Sequence, residues 1–302
     1  MKPVRLCIFA FALFASVRPT FPQGGNTGLT FLTLGVGSRS LGMAEAYSAA
    51  SNDPAAMQYN PATLSSIDAT TISFMHRVWI QGTNAEFLAG AFNLGRVSLG
   101  LSVYSVSTDD IEIRNTPGPA LSTFTARNAA LGISFGYAFS PELSLGVTAK
   151  YLYEKILVED AGGMAFDFGG VYTSPFGVRI GASVSNLGSM SELGSQSTKL
   201  PKLFRGGMSY TADLAGPPAT LTGSLDIVAP LGDGTSHVHF GGEAFLYESI
   251  SVRTGYQTGY EARGFTAGTG IRQGIVAVDY AFMPTRYDLG STHAISLSLQ
   301  LR

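Results

Sequence analysis

Alternation of apolar and polar residues dominates the chain from Thr70 onward. In the stretch 143–154 the odd-numbered residues are apolar or aromatic, and the even-numbered ones are mostly small or polar. The stretches 97–103 and 295–301 repeat the pattern. A period of two places successive side chains on opposite faces of a strand. Strands with one apolar and one polar face are typical of a membrane barrel, with lipid outside and a polar lumen inside.

The alternation predicts fourteen strands, an even number, as expected for a single-chain bacterial barrel. The predicted strands are 70–76, 85–93, 96–107, 126–140, 143–154, 164–174, 177–187, 202–211, 220–228, 238–247, 250–256, 264–272, 275–282 and 293–301.

The predicted connections alternate in length. Tight turns, such as Leu94-Gly95 and Pro141-Glu142, alternate with longer loops, such as 108–125 and 188–201. Outer-membrane barrels have short periplasmic turns and longer external loops. Both chain termini are therefore expected on the periplasmic side.

The segment from Gly35 to Ser66 does not alternate. Its first half is rich in small residues, which allow close backbone approach in a confined space. In its second half, Asn52 or Asp53 can cap a helical turn that begins at Pro54, and Asn60-Pro61 ends that turn and can open another. One interpretation is a solvent-exposed N-terminal arm. The other is a compact plug, made of short helical turns, inside the barrel.

Composition supports a membrane protein. Of the 302 residues, 45% are hydrophobic and only 13% are charged, about half the charged fraction of soluble domains. Apart from the extreme N-terminus, no apolar run approaches the length of a membrane-spanning helix. The fold class predicted is therefore all-β: a transmembrane antiparallel β-barrel of about fourteen strands with an N-terminal plug. The formal net charge of −2 gives no electrostatic reason to expect nucleic-acid binding.

The first 23 residues have the features of a secretory signal peptide, with Lys2 and Arg5 before an apolar run. Cys7, the only cysteine, lies inside that run, so the mature chain is expected to contain no thiol. We therefore divide the chain into a signal peptide (1–23), a periplasmic arm and lumen plug (24–69) and an outer-membrane barrel (70–302). The predicted location is the bacterial outer membrane.

Charged residues recur on the predicted lumen face. Five basic and four acidic side chains nearly balance, which indicates either pairing across a filled lumen or separate solvation in a wet one. The set is Lys150, Arg179, Arg205, Arg253 and Arg272 with Asp167, Asp226, Glu243 and Asp279. Arg39, Glu45 and Asp53 of the plug can join this network.

Two motifs contain residue types that can support metal binding or catalysis. His237, His239 and Glu243 share one strand face and could bind a transition metal, but a polar lumen face explains them equally well. The stretch from Gly132 to Gly136 matches a nucleophile-elbow pattern but lies in mid-strand without a following helix. We expect no catalytic residues, no metal and no cofactor.

Three motifs follow one another in the N-terminal segment: the run from Gly37 to Ala46, which includes Arg39, Gly42 and Met43, then Asn52-Asp53, and then Tyr59-Asn60-Pro61-Ala62. Together they resemble the signature of the PorV/PorQ family, a branch of the FadL-like outer-membrane barrels. The tail from Asp288 to His293 also resembles that family's closing segment. Here Ala44 and Glu45 stand where the family often has glycines, and Tyr59 replaces a tryptophan.

The resemblance implies a plugged, fourteen-stranded barrel associated with type IX protein secretion, whose partners would be outer-membrane lipid, secretion-pore subunits or exported cargo. The alternative function is that of FadL-like relatives, which transport hydrophobic molecules such as long-chain fatty acids. Phe87, Leu152 and Val171 could face inward, but the predominantly polar lumen face mildly disfavours an apolar ligand. Aromatic residues of the predicted external loops, including Trp79, Tyr260 and Tyr287, could dock a protein partner but could equally belong to the aromatic belt at the membrane interface. The family resemblance makes secretion the preferred hypothesis from sequence.

Overall fold

The computed structural model describes residues 27–80, 82–194, 196–216, 218–232, 234–287 and 290–301. The predicted signal peptide, as well as Asp288 and Leu289 of the tail motif, lie outside the described residues.

Within the described residues, fourteen antiparallel strands close into a barrel, which confirms the predicted fold class. Its strands are β1 (Thr70–Val78), β2 (Thr83–Leu94), β3 (Val97–Ile113), β4 (Ser122–Ala138), β5 (Leu143–Ile156), β6 (Glu159–Thr173), β7 (Val178–Met190), β10 (Leu203–Ala215), β11 (Pro218–Pro230), β12 (His237–Leu246), β13 (Ile250–Gln257), β14 (Phe265–Gln273), β15 (Val276–Pro284) and β16 (Ser291–Leu301). Two short strands, β8 (Glu192–Leu193) and β9 (Gln196–Ser197), form a hairpin between β7 and β10. Pairing of β1 with β16, from Thr70 opposite Leu301 to Val78 opposite His293, closes the ring.

The two faces of the wall follow the sequence alternation. On β5, Leu145 and Tyr151 point outward and are about half exposed, whereas Thr148 and Lys150 point inward and are buried. Closure gives each strand two hydrogen-bonded neighbours, so that strand edges do not face lipid. No helix in the described part of the chain is long and apolar enough to cross a membrane.

The connections define two ends of the barrel. The end at which β2 joins β3 and β4 joins β5 is called the short-turn end, and the opposite end the long-loop end. One connection departs from the predicted pattern. The β5–β6 connection is a two-residue turn after Ile156 rather than a longer loop, because both strands continue their pairing up to Ile156 and Glu159.

The N-terminal segment lies inside the barrel as a plug. It contains 3-10 helices at Thr30–Thr33 and Pro61–Ser66 and α-helices at Ser38–Gly42 and Ala56–Tyr59. Helix Ser38–Gly42 contacts β13 to β16, and helix Pro61–Ser66 contacts β3 to β6 on the other side. Asn60 caps the second 3-10 helix by accepting a hydrogen bond from the Ala62 amide, as expected for a cap at this Asn-Pro step.

The first described residues lie at the long-loop end. The Gly28 amide donates to the Lys199 carbonyl in the loop between β9 and β10, at 3.1 Å. From the sequence we predicted that this arm lies at the same end of the barrel as the short turns, whereas its first described residues lie at the opposite end. The physical reason is apolar burial: Phe31, Leu32 and Leu34 pack in the half of the lumen nearer the long-loop end.

Candidate functional site: the plugged lumen

Glycines on the inner wall allow the plug backbone to touch the barrel. A Cβ atom at Gly146 would lie 2.3 Å from the Ala62 nitrogen, and one at Gly181 would lie 2.4 Å from the Ser48 oxygen. Similar contacts with plug backbone occur at Gly241, Gly255 and Gly268, and Gly169 faces the Asn60 side chain. The glycines of the lumen face, together with the small residues of the plug, therefore form a docking surface that larger side chains would obstruct.

We expect Gly146→Val to displace the second half of the plug. The added side chain would collide with backbone atoms of Pro61 and Ala62, and overpacking of this kind costs about 1–3 kcal/mol. Gly223→Val is the matched control, since a Cβ there meets nothing within 4 Å. Thermal unfolding should show a lower Tm for the Gly146 variant alone. Equal Tm values would contradict the proposed docking role of these glycines.

Asn60 ties the plug to the wall. Its side-chain nitrogen donates to the Ser48 carbonyl within the plug at 2.8 Å and to the Gly170 carbonyl on β6 at 3.1 Å. The residue is fully buried. The amide thus satisfies one carbonyl of the plug and one of the barrel wall that would otherwise lose hydrogen bonds on burial.

Arg39 lies in the plug helix Ser38–Gly42 and links this helix to an ion-pair cluster on β12, β13 and β15. Its guanidinium donates to both carboxylate oxygens of Glu243, at 2.8 and 2.7 Å. Glu243 also accepts from Arg253, which pairs with Asp279 at 2.7 Å. Asp53 lies 3.6 Å from the Arg39 guanidinium and accepts the Tyr47 hydroxyl. A bidentate pair of this kind fixes orientation as well as distance.

Glu45 lies in a second cluster nearer the long-loop end. Its carboxylate is 3.5 Å from Arg205 on β10 and 3.8 Å from Arg263 in the β13–β14 loop. Burial raises the pKa of Glu45, but the surrounding basic groups, Arg263 and Arg205 foremost, together more than offset burial, and the net pKa lies below its ordinary value. The plug is thereby linked both to the wall and to an external loop.

The substitution Glu45→Gln should destabilise the protein at pH 7 but not at low pH. The pKa of Glu45 is lower in the folded protein than in the unfolded chain, where it is about 4.3. The ionised carboxylate therefore stabilises the fold above about pH 4.3, and this stabilisation is lost as the pH falls through the pKa of the folded state. Tm measured from pH 7 to pH 3 should therefore show a difference between wild type and variant that shrinks with falling pH. A difference independent of pH would contradict this account.

Lys150 and Asp167 form a buried pair on the other side of the lumen, 2.6 Å apart. Asn186 completes the site: its amide donates to Asp167 and its side chain accepts from Lys150. Asn186 has a φ of 62° at a bulge between β6 and β7. The sequence analysis did not single out Asn186, since only the register shift brings it to this pair.

Asp226 has plug backbone as its partner instead of a basic side chain. One of its oxygens accepts from the amides of Tyr47 and Ser48, at 2.9 and 2.8 Å. Arg179 donates to the Ser66 hydroxyl, and Arg272 lies over the Phe245 ring. The nine predicted lumen charges therefore fall into separate clusters, several of them centred on the plug.

A polar cavity of about 310 Å³ opens at the short-turn side of the plug. Its lining includes Arg39, Arg179, Glu243, Arg272 and Gln300. This cavity reaches the Arg39–Glu243 cluster, so the cluster marks the boundary between the cavity and the packed part of the plug.

The side chains of His237, His239 and Glu243, which the alternation places on one strand face, have other partners in the structure. His237 stacks on Tyr260, with ring centroids 3.6 Å apart, and His239 lies 3.3 Å from the Tyr260 hydroxyl. Glu243 is engaged by arginines. Among the described residues no group of three or more potential metal-ligating side chains occurs. Arg263 also lies over the Tyr260 ring, 3.9 Å from its centroid, so the contacts of Tyr260 hold the β13–β14 loop against β12.

An apolar compartment occupies the lumen near β2 to β5. It consists of side chains from the arm and from the inner wall, all buried: Phe31, Leu32, Leu34, Phe87, Tyr104, Ala130 and Leu152. Phe31 and Phe87 pack on the Tyr104 ring, with centroid distances of 5.5 and 5.9 Å. The sequence analysis placed Phe87 and Leu152 inward but underestimated this compartment, because most other inward positions are polar or glycine.

The fold and this lumen define the protein as a plugged fourteen-stranded transmembrane barrel.

No family model matches the sequence, and no curated protein sequence matches it. Solved structures do match. The P. putida toluene transporter TodX superposes with a TM-score of 0.62 at 13% identity, covering 89% of this chain and 99% of TodX. The monoaromatic hydrocarbon channel CymD gives 0.64 at 12% identity, covering 91% and 99%.

A Pseudomonas aeruginosa FadL homologue also matches, with a TM-score of 0.53 and 11% identity over 88% of this chain and 98% of the homologue. The chain therefore has the fold of the FadL-like outer-membrane barrels. At these identities the similarity establishes the fold.

Proposed function

We propose that this protein is an outer-membrane transporter for small apolar molecules. The observation that carries the proposal is the apolar compartment, which lies in the lumen beside the plug and is formed by Phe31, Leu32 and Leu34 of the arm together with inward side chains of the wall. A ligand of similar character could replace the arm side chains there without exposing the wall to water. The names of TodX and CymD, a toluene transporter and a monoaromatic hydrocarbon channel, point to the same ligand class.

The secretion role rests on the PorV/PorQ-like motif and takes second place. Two of the aromatic residues expected to dock a partner are engaged within the protein. Trp79 packs against the apolar core and has Arg77 5.6 Å from its ring, and Tyr260 lies between His237 and Arg263. Tyr287 remains exposed. A smaller docking surface is therefore left for exported proteins.

Trp79 provides a direct test, because it is the only tryptophan in the sequence and packs against the buried apolar cluster. Titration of the detergent-solubilised protein with toluene should change the Trp79 emission saturably, and vesicles containing the protein should take up toluene faster than empty vesicles. No saturable change and no added uptake would contradict the proposal. Copurification of exported proteins would favour the secretion role instead.

A larger side chain in the apolar compartment should prevent the ligand from binding there. Ala130 faces the compartment and is 6% exposed, so Ala130→Phe should reduce saturable toluene binding by about tenfold, since a phenyl group takes the space and the contacts of the ligand. Ala129 is its neighbour on the opposite face of β4, and Ala129→Phe is the control with the same change in size. Equal binding by both variants would place the ligand elsewhere.

A further inference from the structure

The outer wall of β1 to β6 carries an apolar groove of about 640 Å³. Leu88, Leu101, Ile133 and Tyr151 border it, and each is about half exposed. Small residues interrupt the outward rows at this place: Gly90 stands between Leu88 and Phe92 on β2, and Ala149 between Val147 and Tyr151 on β5. The wall therefore has a depression where neighbouring parts present large side chains.

Two basic residues stand above this groove toward the long-loop end. Arg127 on β4 and Lys155 on β5 are directly opposite each other, both exposed, and both lie on the outward rows that contain Leu131 and Tyr151. Like charges in directly opposed positions destabilise a pair of strands. Asp160 opposes Lys155 on β6, and Ser107 opposes Arg127 on β3, so the four residues retain a net positive charge.

The spacing between the basic pair and the groove corresponds to that between a lipid headgroup and its chains. Arg127 precedes Leu131 by four residues, about 13 Å along the strand. With the usual tilt of barrel strands, this distance is about 10 Å along the membrane normal. The pair therefore stands at headgroup level when the groove lies in the acyl-chain region.

We propose that this surface is a binding site for a phosphate-bearing acyl lipid of the leaflet at the long-loop end. One acyl chain lies in the groove, and the phosphate accepts hydrogen bonds from Arg127 and Lys155, which removes the repulsion between them. The site is on the outside of the barrel and is independent of what passes through the lumen.

Native mass spectrometry can measure the lipid retained by the full-length mature protein in detergent. The probe is bisphosphorylated lipid A, and the comparison is its dephosphorylated form with the same acyl chains. Wild type should retain the phosphorylated lipid roughly ten- to thirtyfold better, the order expected for two basic groups near a membrane surface. Equal retention of the two lipids would overturn the proposal and leave only non-specific annular lipid.

Two variants separate the charge from the groove. Combined Arg127→Ala and Lys155→Ala should abolish the preference for phosphate, whereas Arg96→Ala, an exposed arginine at the short-turn end, should not. Gly90→Trp should reduce retention of both lipids by filling the groove, and Gly223→Trp, an outward glycine on β11, is the control. Heat-modifiable migration identifies variants that have folded. An unchanged preference in the folded double variant would refute the assignment of the phosphate to this pair.

Discussion

Deletion of residues 27–66 is expected to convert a closed barrel into a conducting one. These residues include the largest fully buried side chains of the lumen, among them Leu41, Met43, Tyr47 and Tyr59. The wall is closed by strand pairing that does not involve them, so the barrel can form without the plug. In planar bilayers the intact protein should show little steady conductance, and the deletion should raise it by at least about tenfold, since wide barrels without a plug leave an aqueous channel.

The control for this deletion removes chain that is not part of the plug. Deletion of 192–197 removes the β8–β9 hairpin, which lies outside the closed ladder, and should leave conductance unchanged. Both proteins should be checked for heat-modifiable migration, which reports a folded barrel. A folded barrel that lacks residues 27–66 and still fails to conduct would show that wall side chains alone close the lumen.

The barrel could be predicted from sequence because its physical cause is local. Lipid outside and a polar lumen inside impose a period of two on every strand, so that Leu145 and Lys150 reveal their faces without knowledge of any partner. Strand ends were less predictable. The β5–β6 turn is two residues long because pairing continues to Ile156 and Glu159, and that pairing depends on the neighbouring strand.

The contents of the lumen were predicted only in part. Alternation placed Glu243, Arg253 and Asp279 inward, but Arg39, the plug residue that pairs with Glu243, lies more than 200 residues away from it, and sequence spacing carries no information on such a contact. The same holds for Phe31 of the arm, which packs on Tyr104 of β3. The apolar compartment arises from the arm and the wall together, so neither alone indicated its extent.

The motif that resembles the PorV/PorQ family has a structural explanation in this plug. Gly37 has a φ of 82° and its amide faces the Met75 sulfur, Gly42 passes against Gly268, and Met43 is fully buried beside Gly241. Asn60 joins Ser48 to Gly170. We infer that these residues hold a plug in a barrel, a requirement that a transporter and a secretion component would share. The motif therefore does not separate the two functions, whereas the apolar compartment favours transport.

The substitution Glu243→Gln is expected to have the largest effect on stability of any single change in the lumen. Glu243 accepts hydrogen bonds from both Arg39 and Arg253, and Arg253 is 5% exposed. A glutamine has nearly the same shape but no charge, so two guanidinium groups would remain close together with only Asp279 and Asp53 nearby. Removing one partner from a buried ion pair costs about 3–5 kcal/mol. The free energy of unfolding, measured in denaturant with the protein in lipid vesicles, should fall by about this amount.

The pairing partner and a surface pair provide the controls for this measurement. In the double variant Arg39→Gln, Glu243→Gln, one of the two opposed guanidinium groups is also removed, so its loss of stability should be smaller than that of Glu243→Gln alone. Glu86→Gln alters a carboxylate that is 39% exposed and lies 3.2 Å from His76, and it should cost less than about 1 kcal/mol. Because Arg39 belongs to the plug, the Glu243 variant should also conduct in bilayers before its barrel unfolds. If its stability fell by no more than that of the Glu86 variant, Glu243 would not be the residue that anchors the plug to the wall.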